Sequence, residues 1–397
     1  MSTSTASSKP RSDQVPERLF TPAFIGLTVA DLAYFTAVGM SLLVLPLYVT
    51  GPVGSGTAGA GIAFGAFAVS ALALRPLAGR LTDTLGRRPL LITGALLCAA
   101  CMAATAHVDG LVLVVVIRLL LGVAEAAFFV ASFAALADLA PPSRIGEALS
   151  YNSLGLYVGI AGGPLLGEFL VSRWGFTVAW YGAAALAVFA VLAVVYIGET
   201  QVNRTVPEQR PPLIHVRALA PALGFFASVV AMGAFLAFVA LHAGEVGMAR
   251  AGIPLVVYGG VVVVGRIAFA RIHDRFPPLI LGAAALAMIA SGLAVVALWT
   301  SPAGIILGTV MMALGVTFST PAFFAAIFAT ARPSERGAAS GTASIFLDLG
   351  LGGGPILLGM VAAAMGIPWA FGVAAAVALA GGAWTMSLWS QRRRARV

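Results

Sequence analysis

Charge is what this chain has least of. Only 10% of its 397 residues are Asp, Glu, Lys or Arg, against 60% hydrophobic. A soluble domain covers its surface with about 25% charged residues, so a water-soluble globular fold is excluded. Lysine is almost missing: Lys9 stands alone, and arginine carries the positive side of a net charge of +8. The arginines lie between apolar runs rather than in one patch, which excludes a nucleic-acid surface. Cysteine is equally scarce. Cys98 and Cys101 form a C-x-x-C inside "LLCAACMAA", an apolar helical stretch with no strand–helix–strand unit beside it. The pair therefore reads as small-residue packing rather than redox chemistry, and no disulfide framework exists. His107, His215, His242 and His273 are scattered without metal-ligand spacing. "GLGGGP" lacks the Lys-Ser/Thr of a phosphate loop. No metal or cofactor is expected.

Long apolar runs are what the chain does have. Twelve segments approach or exceed the ~20 residues that cross a bilayer as helix, near 20–49, 56–78, 89–108, 110–139, 145–172, 175–197, 217–242, 250–271, 278–299, 303–330, 337–365 and 367–389. Residues 1–19 read as a disordered cytosolic tail and 391–397 as a basic one. With both ends cytoplasmic, the inner loops hold Arg80, Arg87, Arg88, Arg144, Arg204, Arg210 and many more arginines, whereas the outer loops hold only Arg173 and Arg250. That bias obeys the positive-inside rule. The polar connector 199–216 divides the chain into halves 20–198 and 217–390.

The halves repeat. A shift of 191 positions carries Arg75 onto Arg266, Arg80 onto Arg271, Asp83 onto Asp274, Gly159 onto Gly350, Gly163 onto Gly354 and Pro164 onto Pro355. Duplicated halves around a midplane site are the design of many secondary transporters, which rock one half against the other. The segment "GRLTDTLGRRPLL" is expected as a tight cytosolic turn, with Gly79 and Gly86 easing the backbone and Asp83 accepting hydrogen bonds from arginines and helix ends.

That segment resembles the loop signature of the major facilitator superfamily, with Gly79, Leu81, Asp83, Gly86, Arg87 and Arg88 matching. Thr84 replaces the usual basic residue, and the second copy has Pro277 where the first has Gly86. The resemblance implies an all-α membrane fold of twelve helices in two pseudo-symmetric six-helix bundles. It also implies that this loop, echoed at Asp274, latches the halves on the cytoplasmic side. "RLLLGVAEAAFF" is similar to the family's R-x-x-x-G pattern at Arg118 and Gly122. "GIAGGPLLGE" resembles the pattern of its antiporters at Gly159, Gly163, Pro164 and Gly167, with Glu168 in place of the last glycine. In physical terms such glycines let helices pack backbone to backbone, and Pro164 permits a bend.

Ionisable residues inside the spans are the candidates for function. Each would cost roughly 2.5–3.5 kcal/mol or more facing lipid. Asp31 lies ~16 Å into the first span at 1.5 Å per residue, Arg118 and Glu125 share a face of the fourth, and Asp348 sits midway along the eleventh. A buried carboxyl near an arginine makes a switchable proton carrier. Asp31 is the first choice, Glu125 the second and Asp348 the third, with Arg118 resembling the family's proton-linked arginine. Glu168 suits an outer gate or structural role as well as proton work. Tyr34, Phe35, Asn152 and Tyr157 are candidate ligand contacts, and the excess of acids leans towards a neutral or cationic cargo.

The expectation is a monomeric inner-membrane antiporter of the drug:proton kind, driven by an ion gradient because no span connector is long enough for an ATPase domain. Its partners would be protons, lipid and a small amphipathic substrate exported from the cytoplasm. A sugar, metabolite or siderophore-like exporter, or an uncoupled facilitator, is the alternative. An enzyme would need convergent His, Asp or Ser groups at one membrane face, and a receptor a sizeable soluble domain; neither pattern occurs.

Overall fold

The computed structural model describes residues 19–141, 144–200, 215–269, 275–332 and 335–394. Apolar side chains dictate helices here, because backbone amides in lipid must find their partners within the same segment. The helices are α1 (Pro22–Thr50), α2 (Gly56–Leu85), α3 (Arg87–Thr105), α4 (Leu111–Leu139), α5 (145–174), α6 (176–197), α7 (Leu219–Glu245), α8 (Ile253–Ala268), α9 (Pro278–Leu298), α10 (Pro302–Phe328), α11 (Arg336–Met365) and α12 (Ile367–Arg394). Helices α5 and α6 form one hydrogen-bonded run, Ile145–Ile197, broken at Gly175, whose φ of 85° only glycine adopts readily. The chain doubles back there. Gly26 lies against Ile197 and Gly155 against Thr28, so both ends of the run meet the start of α1.

Helix starts carry local signals. Thr21 Oγ1 accepts from the Phe24 amide at 3.2 Å, Ser301 Oγ accepts from the Gly304 amide at 3.2 Å, and a proline follows each cap. The spans match the sequence-based ones within a few residues at most ends. The eighth is shorter than expected, ending at Ala268, with 270–274 outside the described residues. Large apolar side chains such as Val112, Leu298 and Leu357 point outward, as a lipid-facing surface requires.

The two bundles pack alike. In the first, Gly159 and Gly163 of α5 press on α1: a Cβ on Gly159 would stand 2.8 Å from the Thr36 amide nitrogen. In the second, their repeat partners Gly350 and Gly354 press α11 on α7, against Val229 and Val230. Backbone-to-backbone contact of this kind is what small residues supply in membranes. Pro164 and Pro355 both lie inside their helices. Between bundles, α2 meets α11 through Gly61, Gly65, Gly352 and Gly359, and α5 meets α8 through Ala161 and Gly259. The α2–α11 contacts lie in the half of the molecule remote from the chain ends and the Ala161–Gly259 contact near the middle of its helices, and together they close that half.

Candidate functional site

Nearer the chain ends the bundles part around a cavity of about 480 Å³, whose wall includes Leu72, Arg75, Phe129, Phe133, Phe324 and Ser344. Helices α2 and α4 supply one side, and α10 and α11 the other. Arg75 is the polar centre of this wall. Its Nε donates to Asp348 Oδ2 at 2.6 Å and its Nη2 to Asp348 Oδ1 at 2.9 Å, a two-pronged pair that crosses from α2 to α11. Glu125 Oε1 of α4 lies 3.8 Å from the same Nη2. The guanidinium also stands 4.8 Å from the centre of the Phe129 ring. Side-chain exposures of 14% for Arg75, 13% for Glu125 and 3% for Asp348 leave the first two within reach of cavity water and seal the third behind the arginine.

Asp31 is placed differently. It is 1% exposed and lies inside the first bundle. Ser132 of α4 donates to its oxygens at 2.8 and 2.7 Å, and Asn152 of α5 donates at 2.7 Å. Among the described residues no cation pairs with it. Arg118 is equally interior at 5% exposed, with Nε donating to the Ala63 carbonyl at 3.1 Å and the guanidinium 5.0 Å from the Phe67 ring. The face that Arg118 and Glu125 share brings no ion pair; Arg75 takes Glu125 instead.

Of the expected ligand contacts, Tyr34, Phe35 and Asn152 are buried in the first bundle. Tyr34 stacks on Phe128 at 3.9 Å and Asn152 is occupied by Asp31, so none of the three lines the cavity in this conformation. Tyr157 is half-buried beneath the guanidinium of Arg266, 4.1 Å from its ring centre. Glu168 reaches across the shut half, where its Oε1 accepts from the Gly252 amide at the start of α8 at 3.1 Å.

The signature loop contracts to a single residue. Because α2 runs on to Leu85, Gly79 sits in helix, and a Cβ added to it would meet nothing within 4 Å. The tight backbone expected at Gly79 is therefore absent. Gly86 alone makes the corner, at φ 105°. Arg87 Nη1 donates to Asp83 Oδ1 at 3.2 Å, and its Nε donates to Asp138 at 3.0 Å. Glu199 caps the start of α3 by accepting from the amides of Arg87 at 3.0 Å and Arg88 at 3.2 Å. Asp83 and Asp138 belong to the first bundle and Glu199 to the connector that follows it. Asp274 lies outside the described residues.

Sequence reasoning thus missed Arg75, Ser132 and Glu199. Arg75 had a signal: it stands in an apolar run short of the loop and is echoed at Arg266. Ser132 and Glu199 had none, since a lone serine in a span and a glutamate in a connector are ordinary.

The comparisons with known proteins agree with this geometry. The Major Facilitator Superfamily model matches residues 27–352. An uncharacterised MFS-type transporter of Salmonella typhimurium is 28% identical over 371 residues, covering 90% of this chain and 94% of that protein. One of Burkholderia pseudomallei is 28% identical over 390 residues, covering 91% of each. In fold, the chain is similar to the nucleoside transporter NupG (TM-score 0.76, 15% identity, 92% of this chain and 99% of that one). It is also similar to the human organic anion transporter MFSD10 (TM-score 0.70, 17% identity, 94% and 100%). Twelve membrane-length or near-length helices among the described residues, in two pseudo-symmetric bundles around a largely apolar cavity with Arg75 in its wall, together with a family match over most of its length, make this chain a transporter of the Major Facilitator Superfamily.

Proposed function

We propose that this transporter is a proton-coupled antiporter that exports a small amphipathic compound across the inner membrane by alternating access. In this reading both chain ends are cytoplasmic and one chain is the working unit. The arginine-rich loops on the side of the chain ends support that orientation. The loop of Gly79, Asp83, Gly86, Arg87 and Arg88, with Asp274, serves as the latch that closes the cytoplasmic side in the other half of the cycle.

The observation that carries the reading is the sharing of Arg75 between Glu125 of its own bundle and Asp348 of the other. With both acids ionised, Arg75 ties α2 to α11 and favours the shut outer half. A proton on Asp348 competes directly with the guanidinium, and each charge-assisted hydrogen bond lost is worth about 1.5–3 kcal/mol. Glu125 then remains as counter-charge, so Arg75 is not left unpaired in a poor dielectric. Asp31 and Arg118 lie within one bundle, away from the moving seam, and take the secondary part. The fold carries organic anions in one neighbour and nucleosides in another, so the cargo is decided by this chain's own cavity residues.

The test is flux into proteoliposomes under an imposed pH gradient, with a panel of dyes, antibiotics, sugars, siderophore-like chelates and aromatic carboxylates. Asp348→Asn and Glu125→Gln should each lose gradient-driven flux while keeping downhill exchange; Asp31→Asn should keep both. Full gradient-driven flux in Asp348→Asn and Glu125→Gln, with loss in Asp31→Asn, would return the proton to Asp31. Wild-type flux that ignores the gradient would make the protein a facilitator.

A further inference from the structure

Taking the chain as the coupled transporter proposed above, we propose that Arg266, laid over Tyr157 at the α5–α8 seam, is an anion-receiving site and that the cargo is an organic carboxylate with an apolar or aromatic body.

The charges inside the described spans do not balance locally. Asp348 and Glu125 share Arg75, Asp31 is held by Ser132 and Asn152, and Glu168 takes the Gly252 amide. The cations are less well served. Arg118 at least gives its Nε to the Ala63 carbonyl. Arg266 has no carboxylate within ion-pair distance among the described residues and its buried Nε has no hydrogen-bond partner; its described neighbours are two tyrosines, Tyr157, to which it is hydrogen-bonded and whose ring centre is 4.1 Å away, and Tyr258. Arg266 stands in the last turn of α8, where a cation suits the helix end, yet its guanidinium lies over the ring of Tyr157 in the middle of α5 rather than beside an acid.

The internal repeat says what is missing. The shift of 191 that carries Arg75 onto Arg266 also carries Tyr157 onto Asp348. Each seam between the bundles therefore has an arginine from one bundle reaching the same repeat position in the other. At α2–α11 that position is a carboxylate; at α5–α8 it is a phenol. Among the described residues the second seam keeps the cation and has a phenol in place of its anion, and a ligand can supply one. Arg75 lines the cavity wall, and Arg266 takes the corresponding repeat position at the other seam, on the chain-end side of the Ala161–Gly259 contact.

The chemistry of the cargo follows. A planar guanidinium whose Nε is unpartnered and whose other described support is a phenol can take a carboxylate in two-pronged fashion. The cavity of about 480 Å³ offers Phe129, Phe133 and Phe324 to an apolar body of drug-like size. The lean towards neutral or cationic cargo drawn from the number of acids does not hold at this seam, because the acids lie elsewhere: Glu125 and Asp348 on Arg75, Asp31 on Ser132 and Asn152, and Glu168 on the Gly252 amide.

The experiment titrates the purified full-length transporter at neutral pH with 2-naphthoate and with its neutral isostere 2-naphthamide. Wild type should bind the naphthoate at least tenfold more tightly. Arg266→Gln should abolish that preference and Arg266→Lys keep part of it. Tyr157→Asp, which places a carboxylate beneath Arg266, should abolish it as well without removing the arginine. Absence of saturable naphthoate binding, equal binding of the two probes, or an undiminished preference in Arg266→Gln would overturn the proposal. Glu125→Gln separates this site from the coupling reading. Lost gradient-driven flux with intact naphthoate preference leaves both standing, whereas a wild type without coupling but with the preference sinks only the coupling.

Discussion

Along α2 and α11 the bundles meet through Gly61, Gly65, Gly352 and Gly359 and, nearer the chain ends, through the Arg75–Asp348 ion pair. Along α5 and α8 they meet through Ala161 and Gly259, with Arg266 over Tyr157 nearer the chain ends and Glu168 holding the Gly252 amide farther out. The apolar halves of both seams are interchangeable in kind: small residues allow close approach, and protons do not affect them. The polar halves differ. One pairs a cation with an anion that a proton can neutralise, and the other, among the described residues, sets a cation on a phenol. On the function proposed above, a duplicated fold divides two tasks, proton response and cargo recognition, between equivalent positions.

The largest effect should come from removing the acids of the first seam together. Asp348→Asn with Glu125→Gln leaves Arg75 without a counter-charge, and gradient-driven flux in proteoliposomes should fall at least a hundredfold while counterflow stays within about threefold. The second seam responds to the opposite change. Tyr157→Asp makes it a copy of the first, so naphthoate preference should drop about tenfold with gradient-driven proton movement retained, read as alkalinisation or acidification of the vesicle lumen. Glu168→Ala removes one hydrogen bond from a seam otherwise closed by packing. Outer-side cysteine probes at Ser55 should then label two- to fivefold faster in a Cys98→Ala, Cys101→Ala background. Asp83→Asn should do least in this conformation, because Asp83 is half exposed and faces Arg87 of its own bundle. An exposed pair is worth about 0.2–1 kcal/mol, so cysteine labelling on the side of the chain ends in this conformation should change by no more than about fivefold, and a larger loss of flux would report the latch in the other half of the cycle.

The architecture was legible because hydropathy, arginine placement and a constant offset are whole-chain signals that survive uncertainty at any one residue. Even the doubling back at Gly175 was legible as a gap between two expected spans, although the backbone makes it a one-residue corner. Site assembly was not legible in the same way. Which arginine meets which acid depends on contacts between helices far apart in sequence: Arg75 and Asp348 are brought together only when α2 packs on α11. Arg118 and Glu125 looked like partners because they share a helical face, yet a shared face does not fix where side-chain ends point. Asp31 was recognised as buried, while its donors Ser132 and Asn152 come from two other helices. The meaning of Tyr157 needed both sources, since the repeat aligns it with Asp348 and the fold sets Arg266 on its ring.

The central claim is that a proton on the Arg75–Asp348 seam changes which side of the molecule is open. Pulsed spin-label distances test it most directly, in a Cys98→Ala, Cys101→Ala background with one pair at Thr84 and Arg332 near the chain ends and another at Ser55 and Thr300 on the opposite face. Low pH protonates the acid and weakens the pair. Acidification of otherwise wild-type protein should therefore shorten the Thr84–Arg332 distance and lengthen the Ser55–Thr300 distance. Asp348→Asn should show the shifted distribution already at neutral pH and lose its response to acid. Distances that do not move with pH in the wild-type seam, or that move equally in Asp348→Asn, would contradict the account.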